Sequence, residues 1–102
     1  MPTYEWTPAF GRDWADLTDD QQVRFLIAVR RFVADLEAGG AIRSGLGVRP
    51  LHGQRGMPTV YRFTWDEDHD GRATFHYGTE ERGLLAHVVW RRIGGHRIYT
   101  SP

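Results

Sequence analysis

The chain reads as one α+β domain, an N-terminal strand and a two-helix hairpin packed on an antiparallel β-meander. Three observations predict this. Residues 18–37 carry a helix-period apolar stripe opened by a capping pattern. Thr59–Trp65 and Arg72–Tyr77 alternate apolar and polar residues with the strand period. The run Ala86–Ile93 is apolar on both faces, as a strand flanked by neighbours should be. Two helices joined by so few residues should form a hairpin lying across one face of a sheet. With 102 residues the chain can bury one modest core, so positions 1–102 are assigned to a single domain.

Tyr4-Glu5-Trp6 is a short strand with its aromatic residues on one face. Thr7-Pro8 opens a helix, because Thr caps free amides and Pro suits the first helical position. Phe10, Trp14 and Leu17 follow at helical spacing as a buried stripe. Thr18-Asp19-Asp20-Gln21 is a capping box with acids in the first turn, where the helix dipole favours them. The helix it opens runs to about Glu37 and ends at Gly39-Gly40. Phe25, Val29, Phe32 and Leu36 form its core side, widened by Leu26 and Val33. Arg24, Ala28, Arg31 and Asp35 form the side facing water or a partner.

Residues 40–58 hold five Gly and two Pro and read as a loop, with an extended piece at Leu46–Leu51. Arg43 and Arg55 are solvated there, whereas Arg49 and His52 flank Pro50-Leu51, an anchor able to fix their direction. In the meander, Tyr61, Phe63 and Trp65 share a face with Ala73, Phe75 and Tyr77 and should cover the helices. Asp66–Gly71 is a polar hairpin turn, with His69 solvated; it lacks the spacing of a calcium loop. Gly78–Leu84 connects to the last strand, in which Trp90 is core and Arg91 and Arg92 point to opposite faces.

Composition excludes several classes. Hydrophobic residues at 40% and charged residues at 25% suit a soluble globular protein, with no apolar run long enough for a bilayer and no signal-peptide pattern; the cytoplasm is the expected location. Without Cys there is neither a disulfide nor thiolate chemistry, and the five His show no HxH or HxxxH spacing, so no metal and no cofactor is expected. All 13 basic residues are Arg, the side chain that grips phosphate through paired hydrogen bonds. Residues 1–40 carry four Arg against seven acids, a net of −3, and residues 41–102 carry nine against six, a net of +3. An anionic ligand is therefore sought on the C-terminal part.

Two features there point to chemistry. The meander face away from the helices presents Arg62, Thr64, Arg72, Thr74 and His76, basic residues and no acid, with nothing expected to cover them. The last strand ends at Gly94-Gly95, after which His96, Arg97 and Tyr99 bring an imidazole, a guanidinium and a phenol to its exit. A basic sheet face with a histidine beside it fits a phosphodiester.

Val60-Tyr61-Arg62-Phe63, Gly71-Arg72-Ala73-Thr74-Phe75-His76-Tyr77-Gly78 and Val88-Val89-Trp90-Arg91-Arg92-Ile93-Gly94-Gly95-His96 together resemble the RelE/ParE superfamily, the toxin halves of type II toxin–antitoxin pairs. The resemblance spans nearly the whole chain, including Arg49-Pro50-Leu51 before the meander; Ile-Gly-x-His near the end is its most specific piece. It implies a compact sheet with a helical hairpin and, in the RelE-like branch, ribosome-dependent cleavage of messenger RNA. It places a catalytic basic residue at Arg72, another at His96 and a third at Arg49, with Arg62 where RelE itself has a lysine. Arg72 then clamps charge, and His96 is general acid or base. Arg49 and Arg62 hold phosphates, and Tyr99 contacts a base or the reacting phosphate. His52, His76 and Arg92 complete the expected RNA contacts, with His52 and His76 as alternatives for the base.

Such a protein implies the ribosome, messenger RNA and a cognate antitoxin as partners, and neither membrane nor cofactor. Two other classes remain open: a ParE-like inhibitor of DNA gyrase, and a non-catalytic relative acting as a binding module. Both the Arg24, Arg31 and Asp35 side of the long helix and the basic sheet face are landing places for an antitoxin.

Overall fold

A computed structural model describes residues 3–51, 58–78 and 86–102. His52, Arg55 and loop positions 79–84 lie outside them. The fold is α+β, with strand β1 (Thr3–Trp6), helices α1 (Pro8–Ala15) and α2 (Asp19–Glu37), and strands β2 (Arg49–Pro50), β3 (Tyr61–Asp66), β4 (Gly71–Tyr77) and β5 (His87–Gly94). One five-stranded sheet forms in the order β1-β5-β4-β3-β2. It is mixed: β3, β4 and β5 make the expected meander, but β1 joins parallel to β5, with Thr3 opposite His87 and Trp6 opposite Trp90. Among the described residues no helix is long and apolar enough to cross a membrane.

The helices start where their caps put them. The Thr7 hydroxyl accepts the Phe10 N–H at 3.2 Å and donates to the Arg91 carbonyl at 2.8 Å, so one side chain both caps α1 and ties it to β5. At α2, Thr18 and Gln21 exchange side-chain-to-backbone hydrogen bonds of 3.2 and 2.8 Å. Both helices lie on one face of the sheet, over a largely aromatic core. Phe25 meets Trp90 at 5.0 Å between ring centres, Phe32 meets Phe75 at 5.1 Å, and Phe63 meets Trp90 at 5.1 Å.

The outline of α2 differs from the periodic reading in two places. Ala28 belongs to the core at 4% exposure, and Leu26 stands out at 51%. The helix is turned so that the line of Phe25, Ala28 and Phe32 faces the sheet, and a methyl at Ala28 lets the backbone approach closely. On the opposite side, Arg24 pairs with Asp20 and Asp66, and Arg43 pairs with Asp35, so this side of α2 is tied down by ions.

A bulge reshapes β5. Thr74 lies opposite Arg92 and Phe75 opposite Trp90, which leaves Arg91 as an extra residue. In a regular strand Trp90 and Ile93 would face opposite ways; here both enter the core, and Arg91 and Arg92 are both kept out of it. Arg92 reaches Asp13 of α1 at 2.6 Å, and Asp13 also accepts the Ile93 N–H at 3.1 Å. The carboxylate thereby closes the edge of β5 beyond the point where β1 ends.

The largest departure concerns the second sheet face, which is not open. After Gly94 (φ 158°) a 3-10 turn, His96–Thr100, folds the chain back over it. Ile98 is buried at 7%, and Arg91 Nε and Arg92 Nη1 donate to the carbonyls of Pro102 and Ser101, each at 3.0 Å. Val60 and Val89 are buried on this side, outside the main core, and Thr74 is fully buried. Polar-looking strands thus bear a small second apolar layer.

Candidate functional site

The loop between α2 and β3 builds one wall of a cleft. A 3-10 turn at Ser44–Leu46 seats Leu46 in the core, and Gly47 follows in the left-handed region (φ 58°). A methyl on Gly47 would stand 2.7 Å from Thr64 Oγ1, so glycine lets this loop lie directly on β3. The chain then pairs as β2, with Arg49 opposite Arg62. Next in register, Thr64 lies opposite Arg72, and Arg72 opposite Gly94, the residue before the tail.

These elements enclose a cleft of about 440 Å³ lined by Ser44, Gly45 and Gly47, by Arg49, by Arg62 and Thr64, by Glu67 and Arg72, and by His96 and Tyr99 of the tail. Five of the side chains singled out from sequence, Arg49, Arg62, Arg72, His96 and Tyr99, therefore meet in one place. Like charges directly opposite across a sheet are unfavourable. Nevertheless, Arg49 and Arg62 are cross-strand partners, and among the described residues neither they nor Arg72 has an acidic ion-pair partner. Arg24, Arg43 and Arg92, in contrast, are each matched to an Asp. Three guanidiniums without an acidic ion-pair partner among the described residues thus line one cleft, an arrangement that favours an anion.

Arg72, Arg62 and Tyr99 each have a neighbour that places them. Arg72 Nη1 donates to the Gly71 carbonyl at 3.1 Å, and Trp65 Nε1 donates to the Arg72 carbonyl at 2.9 Å, which keeps the β3–β4 register. The Arg62 guanidinium sits 5.2 Å from the centre of the Tyr99 ring. Arg62 Nε and the Thr74 hydroxyl, partners in register, are buried with no hydrogen-bond acceptor or donor among the described residues. Burial pushes the Tyr99 phenol up, against the pull of Arg72, Arg62 and Arg49, so the phenol keeps its proton at neutral pH.

His96 is held by a residue read from sequence as solvated turn. Asp70, in the left-handed region (φ 56°), accepts the His96 backbone N–H at 3.2 Å and approaches Nδ1 at 2.9 Å. Those hydrogen bonds hold the Asp70 carboxyl below its ordinary value, with Arg72 contributing. An ionised carboxylate only accepts, so Nδ1 carries the proton and Nε2 is the nitrogen free to act in the cleft. Gly95 makes the approach possible, since a methyl there would lie 2.6 Å from Asp70 Oδ2. A single clue to Asp70 was local: Asp before Gly in a tight turn tolerates positive φ. Its pairing with His96, 26 residues on, left no local sign.

Three expected contacts are placed elsewhere or undescribed. Arg92 is engaged by Asp13 and the Ser101 carbonyl at the sheet edge. His76 lies four residues along β4 from Arg72, about 13 Å away, and its Nδ1 sits 3.0 Å from Arg91 Nη1 in a second hollow shared with Glu5 and His87. Burial and Arg91 hold the His76 imidazole below its ordinary value. His87 is tied to Thr3 at 2.7 Å at the β1–β5 seam. His52 lies outside the described residues. No cluster of three His, Cys, Asp or Glu arranged to hold a metal occurs among the described residues. Glu67, which also lines the cleft, was absent from the sequence candidates. Comparison of the chain with family models, curated proteins and solved structures finds no match, so the cleft's own residues carry what can be said of its chemistry.

Proposed function

We propose that the chain is a RelE-like toxin that cleaves messenger RNA on the ribosome without a metal ion, and that a cognate antitoxin restrains it. The observation that carries this reading is the cleft itself, where Arg49, Arg62 and Arg72 stand unneutralised beside an imidazole oriented by Asp70. Cleavage at an RNA phosphodiester requires a base for the ribose 2′-hydroxyl, an acid for the departing 5′-oxygen and positive charge for the phosphorane between them. Arg72, anchored to two backbone carbonyls, and Arg49 supply charge to the cleft they line. Arg62 supports Tyr99, whose ring offers a stacking surface for a base.

A cleavage assay on ribosomes programmed with a defined message tests it. Wild-type protein should cut within the decoding site, and Arg72→Ala and His96→Ala should each lose about 10²–10⁴-fold in rate. Equal cutting by both variants sinks the proposal. Inhibition of gyrase supercoiling without any cleavage would move the chain to the ParE-like class.

A further inference from the structure

The nuclease reading leaves the proton acceptor unassigned, and the cleft narrows the choice. Of the described side chains that line it, Arg49, Arg62 and Arg72 stay protonated and cannot accept. The Tyr99 phenol is pushed up by burial and keeps its proton. The hydroxyls of Ser44 and Thr64 are weak bases. That leaves His96 and Glu67, an imidazole and a carboxylate, the side-chain types that serve as general acids and bases. Glu67 opens the 3-10 turn after β3 and is exposed; it forms no ion pair and no side-chain hydrogen bond among the described residues, although three guanidiniums share its cleft. Its oxygens are left for a ligand.

We infer that Glu67 is the general base of the cleft and His96, positioned by Asp70, the general acid. The inference rests on the nuclease reading and completes it. The Glu67 carboxylate takes the proton of the 2′-hydroxyl as that oxygen bonds to phosphorus. The P–O5′ bond breaks, and the departing oxygen receives the His96 proton. The products are a 2′,3′-cyclic phosphate and a 5′-hydroxyl, while Arg72 and Arg49 balance the charge on the phosphorane. The assignment of His96 follows from Asp70: a carboxylate 2.9 Å from Nδ1 fixes the ring through that nitrogen and leaves Nε2 to serve the departing oxygen.

The roles separate by changing the leaving atom. The full chain is assayed on ribosomes programmed with a message whose scissile 5′-oxygen is either native or replaced by sulfur. A thiolate departs without a proton, so it bypasses the acid and leaves the base essential. Glu67→Gln should lose about 10²–10⁴-fold on both messages. His96→Ala should lose as much on the oxygen message and recover to within about tenfold of wild type on the sulfur message. Circular dichroism and thermal melting of Glu67→Gln, an isosteric change at an exposed turn, should overlay those of wild type. Near-wild-type cleavage by Glu67→Gln overturns the inference, as does rescue of Glu67→Gln rather than His96→Ala by sulfur. Wild-type protein that cuts neither message removes the nuclease reading, and the base assignment falls with it; wild-type cutting with the wrong rescue pattern removes the assignment alone.

Discussion

Asp13→Ala tests how the half of the sheet that carries the site is held. The Asp13 carboxylate receives Arg92 Nε at 2.6 Å, Arg92 Nη2 at 3.2 Å and the Ile93 N–H at 3.1 Å, and the two side chains are only 17% and 29% exposed. A hydrogen bond to a charged acceptor contributes about 1.5–3 kcal/mol when partly buried. The ion pair adds less, because Arg92 reaches water and keeps the Ser101 carbonyl. Alanine restores about 0.5 kcal/mol of helix propensity within α1. The net loss should be about 2–4 kcal/mol, a large share of the 5–15 kcal/mol typical of a domain, and should lower Tm by about 10–20 °C. Urea unfolding followed by tryptophan fluorescence measures it, since Trp14, Trp65 and Trp90 all report on the core region. The slope with denaturant should be unchanged. In a double-mutant cycle with Arg92→Met, the coupling should exceed about 0.5 kcal/mol. If Asp13→Ala costs less than about 0.5 kcal/mol, the carboxylate does not close this edge.

Two further outcomes follow from single contacts. In Gly95→Ala the added methyl, 2.6 Å from Asp70 Oδ2, displaces the carboxylate from His96; cleavage should fall by at least about tenfold while Tm moves little, because both partners are exposed. Equal activity would show that Asp70 does not orient the ring. The Asp35 carboxyl is held at about 2, below its ordinary 3.8, by its hydrogen bonds with Arg43. A depressed carboxyl stabilises the fold above the ordinary value and loses that contribution as pH falls toward the folded one. Asp35→Asn should therefore unfold at lower urea than wild type at neutral pH, with the gap closing between about pH 4 and pH 2. A gap that persists at the acid end would refute the ionic origin.

What could be read from the residues alone divides along physical lines. Both helices were legible because their caps and apolar periods are local: Thr7-Pro8 and the Thr18/Gln21 box fixed their starts. The meander was legible from alternation in β3 and β4. The parallel docking of β1 on β5 joins residues 84 apart and has no local signature. Nor does the Arg91 bulge, whose only trace is that Trp90 and Ile93 are both core-sized while three residues apart. Of the candidate site, the guanidiniums and His96 were legible as chemistry. Arg92 lies away from the cleft because its side chain leaves a bulged strand for Asp13, and the Asp70 contact with His96 and the place of Glu67 in the cleft were hidden inside a turn that composition alone marks as solvent.

The tail explains why the sheet face misled. Arg62, Thr74 and His76 look like a wet surface because their polar atoms alternate with core residues, yet Thr74 is fully buried and Ile98 of the tail is buried as well. A segment of seven residues is then asked for two things. It closes a second apolar layer with Ile98, and it delivers His96 and Tyr99 to the cleft. The hydrogen bonds from Arg91 and Arg92 to the Pro102 and Ser101 carbonyls fix its path, and Gly94 and Gly95 give it the room to turn. Stability and site geometry are coupled here, in contrast to Glu67, which stands on an exposed turn. Loss of activity from a change at Ile98 or Arg91 therefore reports displacement of His96 as readily as loss of a contact to substrate. Glu67, with no hydrogen bond to the tail among the described residues, is the position where chemistry can be altered with the tail left in place.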